Sequence, residues 1–167
     1  MNVKTRLDER FRVTRAFTDK LLAAFRTPED WVYQVQPHLN HALWVVGHLA
    51  HTDNFFLSMV APEKAVSPPP NADKFGTGSQ PTNNPADYPP AEEVLAYYRD
   101  RRAALLSALE RMSEDDLQRK TPPGTPAFLP DVASAFETAL WHECMHSGQL
   151  TVVRRALGLP PLEPPAA

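Results

Sequence analysis

The histidines of this 167-residue chain fall in two short windows. His142 and His146 are four residues apart. On a helix, that spacing places both side chains on one face with Cβ atoms roughly 5–6 Å apart. Two imidazoles so placed can bind one metal ion at about 2.0–2.1 Å. Most such pairs on helices bind nothing, so this pair predicts a metal site only together with further ligands.

A second histidine group supplies candidates for a third ligand. His38, His41, His48 and His51 lie at the start of and along another stretch with a helical pattern. If the fold brings the two stretches together, either His48 or His51 completes a three-histidine site. Such a site keeps open positions for water or substrate, as catalytic zinc sites do. His38 and His41 need no metal, and the remaining histidines would line the pocket or support the ligands.

The neighbours of the pair on its own helix also bear on the chemistry. Four residues share the stripe of the pair at 3.6 residues per turn: Ala135, Thr138, Ala139 and Gln149. Small side chains beside the pair would leave a hollow above a metal, and Gln149 could hydrogen-bond a ligand or a substrate. The same projection turns Cys144 to the opposite side, which predicts a buried thiol and not a ligand.

The segment His142-Glu-Cys-Met-His146 also matches the H-E-x-x-H motif of zinc proteases, in which the glutamate activates water. The extended form of that motif requires a glycine and a third histidine, but Gln149 and Val152 occupy those positions. No strand pattern precedes the motif, so it does not predict a protease. Glu143 is either a proton acceptor that reaches the site or a solvated glutamate near an interface.

Helices bounded by proline clusters must position these side chains, because proline stops a helix. Eight of the 18 prolines fall within residues 61–90, and four more within 122–130. The apolar spacing between the clusters predicts four long helices: residues 3–25, 40–60, 91–112 and 131–157. The second is apolar nearly all round, which predicts burial on both sides. A short turn of helix is predicted at 113–117.

These elements predict an all-α fold, a four-helix bundle with a long crossover loop between helices two and three. The length fits a single domain over residues 1–167. The connection over residues 61–90 is long enough to be a lid or a dimer arm, or it is a disordered surface loop. Phe75 and Tyr88 give it side chains that can pack.

Composition narrows the class of protein. The net charge of -3 argues against a nucleic-acid partner, because neutralising phosphates takes clustered Lys and Arg. One cysteine excludes a disulfide framework, and no apolar run reaches the ~20 residues of a membrane span. We therefore expect a cytoplasmic protein with no membrane partner, and we expect the predicted metal site to act on a small-molecule substrate. We expect Arg99, Arg101 and Arg102 on a solvated helix face.

Two segments of the sequence resemble the DinB/YfiT-like superfamily. They are Trp44-Val-Val-Gly-His48-Leu-Ala-His51-Thr-Asp-Asn-Phe-Phe and Trp141-His142-Glu-Cys-Met-His146-Ser-Gly-Gln149-Leu, and the second contains an H-x-x-x-H-x-G-Q signature. With the four helices and the long connection in order, the resemblance covers nearly the whole chain. It implies a single DinB-like four-helix bundle, commonly a homodimer, in which three histidines hold a divalent metal such as nickel or zinc.

The resemblance implies metal ligands at His142, His146 and His48, with His51 as the alternative position in some relatives. Characterised relatives include transferases and isomerases that use low-molecular-weight thiols, and others are regarded as metal-dependent hydrolases. It therefore implies a metal-dependent hydrolase or a low-molecular-weight-thiol S-transferase.

In such an enzyme the candidate catalytic residues are Glu143 and Gln149. A site with open positions acidifies water or a thiol and so supplies a nucleophile near neutral pH. The alternative is a non-catalytic helical bundle that binds a small molecule or a partner and has a vestigial metal site.

Overall fold

The computed structural model describes residues 2–162. Within that range the regular structure is helical, apart from one isolated antiparallel bridge between Lys120 and Asp131. The α-helices are α1 (Val3–Leu22), α2 (Pro28–Trp31), α3 (Ala42–Val60), α4 (Ala91–Arg111), α5 (Glu114–Leu117) and α6 (Val132–Ala156). The all-α prediction and its four long helices, α1, α3, α4 and α6, are confirmed. The short helix α2 was not predicted.

Side-chain caps fix where the helices that carry the histidines begin. The N–H of Trp44 donates to Nδ1 of His41, which caps α3. Asp131 caps α6 by accepting from the N–H of Ser134, and the Ser134 side chain bonds back to the cap. Each cap satisfies a backbone N–H that has no partner within the helix. His41 therefore has a structural role in the first turn of α3.

Helix α3 lies between α4 and α6, and α1 packs against α6 and α4. Most of α3 is buried, as its all-round apolar pattern predicts. The core consists of two hydrophobic clusters. One includes Leu49, Tyr98 and Leu150, and the other includes Phe11 and Phe136.

A layer of four charged side chains lies between the two clusters, one from each long helix: Arg15, Asp53, Arg102 and Glu143. Along α3, for example, Ala50 belongs to the first cluster and Phe56 to the second, with Asp53 between them. All four side chains are at most 13% exposed. We call this set the charged layer.

Close ion pairs connect the members of the charged layer. The Nε and Nη2 of Arg102 each donate to the Asp53 carboxylate over 2.8 Å, and its Nη1 lies 2.7 Å from Glu143 Oε2. Arg15 lies 3.3 Å from Glu143 Oε1 and 3.7 Å from Asp53 Oδ2. Two positive and two negative charges therefore balance inside the bundle, as buried charges require.

The predicted solvated face for the arginines of α4 is correct for Arg99 but wrong for Arg101 and Arg102. Arg102 belongs to the charged layer. Arg101 is buried because its guanidinium donates to the carbonyl oxygen of Lys64 over 2.8 Å and to Asn54 Oδ1 over 3.2 Å. Both cations are buried because acceptors on other elements of the fold pair with them.

The crossover segment, residues 61–90, runs across α3 through three short 3₁₀ turns, Pro62–Lys64, Ala72–Phe75 and Pro85–Asp87. The Asn54 side chain exchanges two hydrogen bonds with the backbone of Val66, and Trp44 Nε1 donates to Ser79 Oγ over 2.7 Å. Phe75 is only 3% exposed. The predicted packing through Phe75 is confirmed, so this segment is not a detached surface loop. Its action as a lid or a dimer arm stays a prediction.

None of the helices in residues 2–162 combines the length and the hydrophobicity that crossing a bilayer requires.

Candidate metal centre

Three imidazoles from two helices converge on one point beside the charged layer. Nε2 of His142 lies 3.2 Å from Nε2 of His48 on α3 and 3.1 Å from Nε2 of His146 on α6. Their ligand atoms all lie within 4.8 Å of one another, which makes this three-histidine cluster a group that could hold a metal ion. The helical spacing of the pair and the contact between α3 and α6 produce this convergence.

Hydrogen bonds at the opposite ring nitrogens set the tautomers of two of these imidazoles. Nδ1 of His48 lies 2.8 Å from the carbonyl oxygen of Phe75, and Nδ1 of His146 lies 2.9 Å from Oε1 of Gln149. Because a carbonyl oxygen only accepts, both Nδ1 atoms carry the proton. Both Nε2 atoms therefore direct lone pairs at the centre of the cluster.

This arrangement of lone pairs fits a cation. The third nitrogen, Nε2 of His142, carries at most one proton, so it cannot satisfy the lone pairs of both His48 and His146. Two nitrogens that each lie about 2.0–2.1 Å from one zinc ion are roughly 3.3 Å apart at the tetrahedral angle. The separations of His142 Nε2 from the other two Nε2 atoms, 3.2 Å and 3.1 Å, are close to that value.

Burial keeps the cluster in the neutral form that binds metals. Burial lowers the pKa of His142 to about 3. Repulsion from the positive charges that His146 and His48 carry when protonated, and from Arg102, acts in the same direction. Burial also lowers the pKa of His146 to about 4, against an opposing effect of Gln149. Burial lowers the pKa of His48, and the backbone of Phe75 opposes that shift. All three rings are therefore uncharged near neutral pH.

A cleft of about 390 Å³ opens next to the cluster, and both His48 and His142 line it. It runs between α3, the crossover segment and α6. Catalytic zinc sites likewise combine three protein ligands with an open coordination position. The site is therefore accessible to small molecules while its ligands are largely buried.

The structure brings His48, and not His51, to the histidine pair on α6. The His51 ring lies against Phe75 and Tyr97, with ring centroids 6.1 Å and 5.3 Å away. His51 also lines the cleft beside the cluster. The ring of Trp44 stacks on that of His48, with the ring centroids 4.5 Å apart and an angle of 14° between the ring planes. This stacking restricts the orientation of the His48 ring in addition to the hydrogen bond at its Nδ1.

The residues predicted to share the stripe of the pair divide into two groups. Gln149 contacts His146, and its oxygen also accepts from Asn40 over 3.2 Å. Thr138 lines the cleft, whereas Ala135 and Ala139 are buried in the second hydrophobic cluster. The hollow beside the pair is therefore formed by the cleft and not by the two alanines.

Glu143 and Cys144 lie on other faces of α6. The Glu143 carboxylate is fully buried in the charged layer, where the hydroxyl of Tyr98 also donates to it over 3.3 Å. The alternative of a solvated glutamate is therefore wrong, and the role of proton acceptor stays a prediction. Cys144 points away from the cluster as predicted, but the expected buried thiol is wrong. It is exposed at the edge of the α1–α6 contact, with Sγ 3.7 Å from Thr14 Oγ1.

Sequence reasoning missed the contributions of Phe75 and Asp53 to this region, and it did not predict that the ring of Trp44 stacks on that of His48. Phe75 acts through its backbone carbonyl, which leaves no sequence signal. Trp44 stands four residues before His48, a spacing that predicts contact on a helix. An aspartate within the nearly all-apolar helix α3 was also a readable sign of a buried ion pair.

The family comparison agrees with this geometry. No curated protein matches the chain. The sequence profile of the DinB superfamily matches residues 7–150, a range that contains the four long helices, except for the first turn of α1 and the last turns of α6, and the whole histidine cluster. Since that match extends over most of the chain, the protein belongs to the DinB superfamily.

Proposed function

We propose that this protein is an enzyme that depends on a divalent metal, nickel or zinc, held by His48, His142 and His146. The observation that supports the proposal best is the convergence of three neutral Nε2 atoms, two of them with lone pairs fixed by hydrogen bonds at Nδ1. A divalent ion in such an open site acidifies water or a thiol and supplies a nucleophile near neutral pH.

The protein's own residues position the reacting groups in this proposal. The carbonyl of Phe75 and the amide of Gln149 fix two of the ligand rings, and losing such an outer partner typically costs about 10–100-fold in metal affinity. Glu143 holds α6 against α1 and α4 through the charged layer. We therefore assign Glu143 a positioning role, and its role as proton acceptor is the alternative.

Two reaction classes follow, hydrolysis and transfer to a low-molecular-weight thiol. The cleft next to the histidines has no Lys or Arg among its described lining residues. A thiol that carries free carboxylates would therefore find no Lys or Arg side chain there to pair with. This feature favours hydrolysis, or transfer with an uncharged thiol. A non-catalytic bundle with a vestigial metal site is the remaining alternative.

Metal content of the purified full-length chain tests the first step. We expect one equivalent of metal by elemental analysis, and a loss of at least about tenfold in metal affinity for each of His48→Ala, His142→Ala and His146→Ala. His51→Ala is the matched control, because it removes a neighbouring imidazole outside the cluster, and it should retain the metal. A wild-type chain without stoichiometric metal, or metal loss only in His51→Ala, contradicts the proposal.

Turnover by the metal-loaded chain tests the second step. We expect hydrolysis of uncharged activated esters or amides, or transfer of an uncharged thiol to an electrophile, that disappears in His142→Ala. Metal binding without either activity would favour the non-catalytic alternative. The homodimer expected from the resemblance is a separate proposal, which light scattering of the purified chain tests.

A further inference from the structure

We propose that the cleft beside the three histidines binds a flat, uncharged aromatic group of a small molecule. The proposal names the substrate class of the same site, and it rests on the proposed function for the chemistry at the metal. The aromatic binding itself depends only on the walls of the cleft, so the two can be tested separately.

Three aromatic side chains from three different segments surround the cleft and are open to solvent. Phe55 on α3 is 47% exposed, Phe128 in the segment before α6 is 68% exposed, and Trp141 on α6 is 62% exposed. All three line the cleft together with His48 and His142. We call them the aromatic collar. Single exposed apolar side chains need no explanation, but three that meet at one cleft mark a binding surface.

The interior of the cleft is apolar and has no formal charge. Phe56 and Phe75 form buried walls, and the polar lining is provided by three threonines and by histidines. Among the residues that the structure describes, no Lys, Arg, Asp or Glu lines it. In the metal-free cleft a charged ligand would lose hydration without gaining an ion pair with a side chain, which is unfavourable. The walls therefore select uncharged ligands.

The geometry favours an aromatic ring over a flexible chain. Rings bind to rings in offset or edge-to-face arrangements, which stabilise the contact beyond the burial of apolar area. Trp141 and His142 line the same cleft, so a ring held against Trp141 lies next to the histidine cluster. A volume of about 390 Å³ lies at the lower end of the range for small-molecule sites, which run from roughly 300 to 1,000 Å³.

A matched pair of fluorescent probes tests the charge and ring selectivity. N-phenylnaphthylamine is neutral, and anilinonaphthalene sulfonate has the same rings with one negative charge. We expect the metal-free full-length chain to bind the neutral probe saturably, and at least about tenfold more tightly than the sulfonate. Equal affinity for the two probes, or no binding of the neutral one, overturns the proposal.

Variants of the collar locate the binding. Trp141→Gln and Phe128→Ser should each weaken binding of the neutral probe by about fivefold or more, since each removes a ring that faces the ligand. Val152→Gln is the matched control, because Val152 is an exposed apolar residue of α6, 56% exposed, outside this cleft. Circular dichroism checks that the variants are folded. Probe binding that is unchanged in both collar variants overturns the proposal.

Two further outcomes separate this proposal from its alternatives. If the wild type binds no probe and Trp141→Gln converts a dimer into a monomer, the collar belongs to an interface between two copies, and the proposal is wrong. If the chain binds no metal but still binds the neutral probe through the collar, the metal-dependent function fails while the aromatic site stands.

Discussion

The ring of Phe75 lies directly over Gly47, so closely that a Cβ atom at position 47 would be 2.4 Å from two of its carbons. The next residue, His48, donates from Nδ1 to the carbonyl oxygen of the same Phe75. The contact between the Phe75 ring and Gly47 packs the crossover segment against α3. The hydrogen bond from His48 to the Phe75 carbonyl uses that segment to orient a candidate metal ligand. A glycine at position 47 is what permits both.

Gly47→Ala should weaken metal binding by about 10–100-fold, the usual effect of losing a partner behind a ligand. The added methyl group displaces Phe75, and the His48 ring loses its acceptor. Competition with a chelator of known affinity measures the change. Gly148→Ala on α6 is the matched control, because a Cβ there meets nothing within 4 Å. Equal metal affinity in the two variants would show that Phe75 does not position His48.

Gln149→Leu should also weaken metal binding by about 10–100-fold, because Nδ1 of His146 loses its acceptor. Gln149→Glu should largely restore affinity, since a carboxylate accepts the same hydrogen bond. Thr151→Ala, a change outside the cluster on the same helix, is the control. A fully active Gln149→Leu variant with unchanged metal affinity would remove Gln149 from the candidate site.

Glu143→Gln should lower the free energy of unfolding by about 3–5 kcal/mol, because it leaves Arg15 and Arg102 buried with only one carboxylate. Urea denaturation measures the loss. Glu137→Gln, a change at an exposed glutamate of the same helix, should leave stability within about 0.5 kcal/mol. Unchanged stability together with loss of turnover would instead support Glu143 as a proton acceptor.

Stability should fall in mild acid partly through His41. Burial lowers the pKa of His41 to about 4, against a weaker opposing effect of the backbone of Trp31 and Thr82. The unfolded chain, with a His pKa of about 6.5, therefore takes up a proton first as the pH falls. The contribution of neutral His41 to the free energy of unfolding is fully present above about pH 6.5, and it is lost progressively between about pH 6.5 and pH 4. At pH 5 the loss amounts to about 2 kcal/mol.

His41→Asn isolates that contribution, because asparagine also caps helices but does not titrate. Urea denaturation at pH 7.5 and pH 5 should show the wild type losing about 2 kcal/mol more than the variant over this range. The other histidines titrate in both proteins, so their effect cancels in the difference. Parallel losses in the two proteins would mean that His41 does not contribute.

The helices were predictable because proline clusters mark their ends and apolar spacing marks their buried faces. The pair on α6 was predictable from helical geometry, since His142 and His146 need only a helix to face one point. The third position was not predictable from helical geometry, although the family resemblance implied His48. Both His48 and His51 lie on α3, and the choice depends on the angle at which α3 meets α6, which is a tertiary property.

The charged side chains were the least predictable part. On α4, Arg99 is exposed while Arg101 and Arg102 are buried, yet all three look alike in the sequence. Their burial depends on acceptors from α3, α6 and the crossover segment. Burial of charge is decided by partners far away along the chain, and periodicity within one helix does not reveal them.

The charged layer also fixes the position of each long helix along the bundle axis. Apolar contacts alone distinguish less strictly than paired charges do between helix alignments that differ by one turn, about 5.4 Å. A slide of α3 or α6 would separate Asp53 or Glu143 from the two arginines and leave buried charges unpaired. His142 directly precedes Glu143, and His48 lies five residues before Asp53 on α3. The ion pairs thus favour the alignment of α3 and α6 in which the three imidazoles lie at the same level along the bundle axis.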